Sequence, residues 1–318
     1  MGCADFLKEW FNSDAQEWVD ENYQNISIDK ILKVQFSIRL SALPYNCQSL
    51  SEARIENGDS KKFTEIVTQH GSELEKSSLA SLLQRFEFFE FEVIRDEETG
   101  SDAILMYAKD KPIDGVEGKT YAIATIAGTL ELQDVWQDLK ISQVQFEETE
   151  ARVHSGFYEC FQALKPKIES FIDSTLETKP VDEILIVGHS LGGAVACLVG
   201  ASLAPKYENE NFRVVSVAAP KIGNQALQDL FKERVKKHLR IRLVSDPIVK
   251  VLDLLYWFRH SGDDHGPTDF PLFDESDFPI GSHLPQPYYV GLEKTKQVIL
   301  KKKFGNAVAK AKKFVKAK

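Results

Sequence analysis

Long apolar runs are missing from this sequence. No stretch approaches the roughly 18 consecutive apolar residues that a membrane-crossing helix needs, so no spanning helix is expected. Cysteine is scarce. Cys3, Cys47, Cys160 and Cys197 are scattered without metal-ligand spacing, which points away from a disulfide scaffold or zinc site and toward a reduced, intracellular protein. Met1-Gly2-Cys3-Ala4-Asp5-Phe6 has no basic region and no apolar run, so it does not read as a signal peptide. The myristoylation pattern wants Ser or Thr where Phe6 stands. The expected location is cytoplasmic, with peripheral attachment to a membrane or lipid droplet. No internal repeat is visible, and nothing calls for a cofactor or a metal.

The charge is uneven. The chain carries −9 overall, yet from Leu292 to Lys318 there are ten lysines and one acid, Glu293. That tail is +9, which leaves −18 on the other 291 residues. An acidic body does not suggest nucleic acid, whereas a basic tail suggests an anionic surface. Leu300, Phe304, Val308, Ala311 and Val315 mark one helical face of the tail, with lysines over most of the rest. Such a helix can lie in a membrane interface, or it can pack on the acidic body.

With 318 residues, 43% of them hydrophobic, the chain can bury a large core. One domain over residues 1–318 is expected: an N-terminal extension (1–100), a core (101–291) and a basic C-terminal helix (292–318). Phe6, Leu7, Trp10, Phe11, Trp18 and Val19 suggest short amphipathic helices. Residues 28–43 are ambiguous: Leu32, Val34, Phe36, Ile38 and Leu40 alternate as in a strand, while Leu32, Phe36, Leu40 and Leu43 fit a helix face. Residues 72–85 read as a helix, and 86–94, 104–108 and 121–127 as strands. The chain then alternates: helix 156–176, strand 184–187, helix 191–203, strand 214–218, helix 226–238, strand 239–244. Near-continuous apolar strands between helices mean an α/β protein, a mostly parallel sheet covered on both faces.

The most informative stretch is Ile184-Leu185-Ile186-Val187-Gly188-His189-Ser190-Leu191-Gly192-Gly193. A strand runs into Gly-x-Ser-x-Gly and a small-residue helix follows. This is the pattern of a tight elbow that strains a serine and exposes its hydroxyl at the strand's end, with glycines where side chains would clash. Free N–H groups of the following helix point at the place where an oxyanion would form. A serine nucleophile needs a base, and the base needs an orienting carboxylate, in the chain order Ser, acid, His.

Asp246 follows the strand 239–244 and precedes Pro247, at the rim shared with the elbow. Of the later histidines, His238 precedes the acid in a basic helical segment. His260 follows an aromatic run and His265 sits among Asp and Gly. His283, in a loop before Tyr288-Tyr289-Val290, is the preferred base. The expected oxyanion donors are the Leu191 N–H and the Gly128-Thr129 segment after strand 121–127. Leu132, Val135, Trp136 and Leu139 then form an apolar stripe, either an ordinary packed helix or a lid with an apolar underside.

Together these residues resemble the class 3 (fungal-type) lipases of the α/β-hydrolase fold. The resemblance runs from about Ile104 to Val290. It includes the elbow, Gly128-Thr129 with Trp136 and Asp138-Leu139, and Val153-His154-Ser155-Gly156-Phe157. It continues through Ala219-Pro220-Lys221-Ile222-Gly223-Asn224, Asp246-Pro247 and His283 with Tyr288-Tyr289. It implies a Ser190–Asp246–His283 triad, a hinged lid, and lipid-ester hydrolysis without a metal. It also implies non-catalytic roles for His154 and His260, and favours helix for residues 28–43. Ala127 stands where the family usually has arginine. Lipid esters, acylglycerols first, are the expected substrates. A phospholipase A or small-ester esterase is the alternative within the same chemistry, and a silent lipase-like scaffold the alternative outside it.

Overall fold

The computed structural model describes residues 28–46, 82, 86–112, 117–128, 142–243, 246, 259, 269–272, 288, 291 and 292. The expected N-terminal helices, most of helix 72–85 and the tail face lie outside them.

Seven strands form one sheet in the order β1-β2-β3-β6-β7-β8-β9. The strands are β1 (Phe86–Asp96), β2 (Ser101–Asp110), β3 (Thr120–Ile126), β6 (Glu183–His189), β7 (Phe212–Val217), β8 (His238–Leu243) and β9 (Asp269–Leu272). The β1–β2 and β2–β3 pairs are antiparallel. From β3 onward every pair is parallel. Helices α1 (Ile28–Ala42), α2 (Ser155–Thr178), α3 (Leu191–Leu203) and α4 (Gln225–Arg234) cover the sheet, and β4 (Gln143–Gln145) pairs with β5 (Arg152–His154) in a small hairpin.

The two faces can be read residue by residue. In β6, Leu185 and Val187 join the core under α1, with Val34, Ile38 and Leu40. Ile184 and Ile186 join the core under α2, α3 and α4, with Phe161, Leu198 and Phe231. A strand buried on both sides needs an unbroken apolar run, which is why this one was visible in the sequence. Helix α3 is buried almost all round. Its small residues permit that: a Cβ on Gly200 would lie 2.4 Å from a Val214 methyl.

One expectation is corrected, and two elements were not expected. Helix 226–238 ends at Arg234, and His238 opens β8. There the two-residue alternation of His238, Arg240 and Arg242 against Leu239, Ile241 and Leu243 takes over from helical spacing. Strand β9 and the β4–β5 hairpin were not foreseen. Pro271 lies in β9, which tolerates it because β9 is the outermost described strand beside β8.

Two buried histidines hold structure. His154 caps α2, its Nδ1 accepting the Gly156 N–H at 3.2 Å, and its ring packs on Phe157 at 4.6 Å. His238 bonds Ser216 Oγ through Nε2 at 3.0 Å and meets the Phe231 ring edge-on. Burial lowers His154 to about 4. Burial, with Arg240 nearby, lowers His238 to about 3. Both stay neutral in the fold while the unfolded chain takes up protons from 6.5 downward. Each unmatched proton therefore tilts the equilibrium toward unfolding by about 1.4 kcal/mol per pH unit as pH falls. The urea midpoint should drop between pH 6.5 and about pH 4, and His238→Phe should flatten that slope by roughly half. A midpoint independent of pH across this window would contradict the assignment.

Candidate active site

The elbow sits where β6 turns into α3. Ser190 has φ 57° and ψ −126°, a left-handed conformation that a side chain adopts only under constraint. Backbone bonds supply the constraint. The Ser190 N–H donates to Val217 O at 2.9 Å, and Ser190 O accepts from the Gly193 and Ala194 N–H groups at 2.9 and 3.1 Å.

The glycines are there for want of space. A Cβ on Gly188 would lie 2.0 Å from Gly192 O, and one on Gly192 would lie 2.2 Å from Ile126 O and 2.5 Å from Ala127 O. The second contact presses the elbow onto the end of β3. Ala127 and Gly128, the approach to Thr129, thus start beside the first turn of α3, where Leu191 is its first residue. Thr129 and the apolar stripe of Leu132, Val135, Trp136 and Leu139 lie outside the described residues.

One expectation about the serine does not hold. Ser190 is not exposed but 1% accessible. An elbow projects the hydroxyl past the strand end; it does not place that point at the molecular surface.

Asp246 lies three residues beyond β8, its N–H donating to Leu243 O at 3.1 Å. It too is only 1% accessible. Its Oδ2 accepts a 2.7 Å bond from the Tyr288 hydroxyl, which in turn accepts the Leu243 N–H at 3.1 Å. The Tyr288 ring stands perpendicular to His189, with centroids 5.9 Å apart. Sequence reasoning took Tyr288 as part of an apolar stretch and missed this contact. The available signal was its hydroxyl, since a buried tyrosine seeks a polar partner. His260, His265 and His283 lie outside the described residues.

Ser190 follows β6 and Asp246 follows β8, so both stand at the carboxyl edge of the parallel strands, where open α/β sheets bind ligands. Only β7 lies between β6 and β8. Two strand spacings separate them by about 10 Å, a gap that an imidazole between the two side chains can bridge. Among the described residues no cluster of His, Cys, Asp or Glu could hold a metal.

A mostly parallel sheet, helices on both faces and a strained serine at a strand–helix elbow define the α/β-hydrolase fold. Comparison with known proteins narrows this. Residues 123–255 match the class 3 lipase family model. It is 25% identical over 121 residues to a secreted mono- and diacylglycerol lipase 1 from Fusarium solani, a match covering 37% of this chain and 36% of that protein. The chain thus spans about a third of the length of that curated relative. The native Rhizomucor miehei lipase propeptide complex superposes with TM-score 0.59 at 16% identity, over 82% of this chain and 78% of that one. A triacylglycerol lipase described as having a serine protease triad at its catalytic centre superposes with TM-score 0.58 at 15% identity, over 79% and 82%. These superpositions share the fold.

Proposed function

We propose that this protein is a serine hydrolase of lipid carboxylic esters, acylglycerols first, working through an acyl-enzyme. The observation that carries the reading is Ser190 held at φ 57° between two space-limited glycines. Buried Asp246 at the same sheet edge supports it. In this reading His283 takes the Ser190 proton as the oxygen attacks the ester carbonyl. Asp246 holds the imidazole and stabilises its protonated form. The Leu191 N–H and the Gly128-Thr129 segment receive the oxyanion. His283 then hands its proton to the departing alcohol, and water, deprotonated by the same ring, releases the acid. The apolar stripe from Leu132 to Leu139 serves as a lid with an apolar underside.

The name of the Fusarium relative, a mono- and diacylglycerol lipase, favours acylglycerols over phospholipids or small esters. A silent scaffold would be expected to have lost a triad member, and Ser190, Asp246 and His283 are all present. The test is purified protein against p-nitrophenyl esters, triolein, monoolein and phosphatidylcholine, together with fluorophosphonate labelling. Labelling with preferred turnover of an acylglycerol is expected. Turnover of phosphatidylcholine alone would move the substrate to phospholipids, and no turnover of any ester would leave the scaffold.

Cys160 and Cys197 are both buried, and the reading keeps the enzyme in the cytoplasm. Among the described residues no helix is long and apolar enough to cross a membrane. The basic tail would then bring an acidic enzyme to its lipid, each lysine near an anionic surface contributing about 1 kcal/mol, screened by salt. Full-length protein should co-sediment with anionic liposomes at low salt, and a chain ending at Leu292 should not. Equal behaviour of the two would remove this role for the tail.

A further inference from the structure

We propose that Tyr288 is a positioning residue for Asp246, holding one carboxylate oxygen so that only the other faces the histidine base. The inference rests on the triad reading above. Tyr288 is fully buried and its hydroxyl is bonded on both sides. It accepts from Leu243 N–H at 3.1 Å and donates to Asp246 Oδ2 at 2.7 Å. The Leu243 N–H fixes where the phenol oxygen sits, because it belongs to the last residue of β8. The hydroxyl proton is then left with one direction, toward the carboxylate. Asp246 is itself anchored by its own N–H to Leu243 O. Backbone and side chain of the acid are thus both tied to one point at the end of β8.

The ring is held as firmly as the hydroxyl. It belongs to the core under α1 and meets the edge of His189, the residue immediately before the nucleophile. One side chain thereby touches both the strand that carries Ser190 and the acid that follows β8. Asp246, Arg240 and His189 are the charged or titratable groups that the described structure places around Tyr288. Burial first, then the Asp246 carboxylate, raises the Tyr288 pKa well above its ordinary value, so the phenol remains a donor throughout the working pH range.

Two consequences separate positioning from mere packing. A carboxylate with Oδ2 committed has one defined oxygen for the imidazole, so loss of the hydroxyl should appear in kcat and not in KM. A carboxylate that gives up part of its charge to a phenol also stabilises a neighbouring imidazolium less. Removing the phenol should therefore raise the histidine's pKa and carry the acid limb of the rate profile upward with it.

The test uses full-length protein and a soluble p-nitrophenyl ester. Tyr288→Phe is expected to lower kcat about tenfold to a hundredfold with KM unchanged, the range for a hydrogen bond to a charged group. Its acid limb should move up by about half a pH unit or more. In an Asp246→Asn background the same change should cost little further. Replacement of Tyr288 by 3-fluorotyrosine keeps the ring and strengthens the donor, so it should move the limb the other way, and it decides the matter if the phenylalanine variant does not fold. Wild-type kcat with an unmoved acid limb in a folded variant would overturn the proposal. If the wild-type protein itself turns over no ester, or does so without Ser190, the triad reading fails instead.

Discussion

Ser190→Ala is expected to lower ester turnover by on the order of a millionfold without unfolding the protein. In the proposed mechanism the Ser190 hydroxyl is the atom that forms the acyl bond. The fold should survive because the elbow is held by backbone bonds, from Ser190 N–H to Val217 O and from Gly193 N–H to Ser190 O. Neither uses the side chain. Alanine at φ 57° bears much the same strain as serine, and the glycines that make room for the turn are untouched. Fluorophosphonate labelling should vanish together with turnover while the thermal midpoint stays near that of the parent. Residual labelling would move the nucleophile to another residue.

His283→Ala should match the serine loss, because base and nucleophile act as one unit and removing either removes both. His154→Ala and His260→Ala should keep most of the turnover. For His154 the structure supplies the reason: its ring caps α2 and packs on Phe157, so its loss costs a helix cap of about 1 kcal/mol. The decisive measurement is kcat/KM for the three variants on one ester. An active His283→Ala beside an inactive His260→Ala would transfer the base to His260.

How much of this could be read from the sequence depended on whether the signal was local. The elbow was legible because a strand buried on both faces, a glycine-spaced serine and a small-residue helix lie next to one another. Residues 28–43 were not legible from periodicity alone, and the structure shows why. Val34, Phe36, Ile38 and Leu40 are buried, but so are Ser37 and Ser41, whose hydroxyls bond the carbonyls of Lys33 and Ile38. A helix covered on more than one side carries apolar residues at even spacing as well as at spacings of four, so strand and helix periods coincide. The resemblance to the class 3 lipases, not the pattern, gave the right choice. Strand β9 was hidden by its proline. The bond from Tyr288 to Asp246 joins residues 42 apart in sequence, which no local pattern reports.

The outer strands of the sheet bear on how the molecule behaves in company. An unpaired strand edge is a template on which another chain can add a strand. Here the two outermost described strands are poor templates for different reasons. β9 has only four residues, one of them Pro271, which has no N–H to offer. β1 is long, but its register shifts between Phe88 and Glu90, and Glu87, Glu92 and Arg95 are exposed along it. A bulge turns the edge out of line and the charges must be stripped of water before anything can dock. Among the described strands, addition of a further strand is thus opposed at β1 by a bulge and by charge, and at β9 by its shortness and its proline.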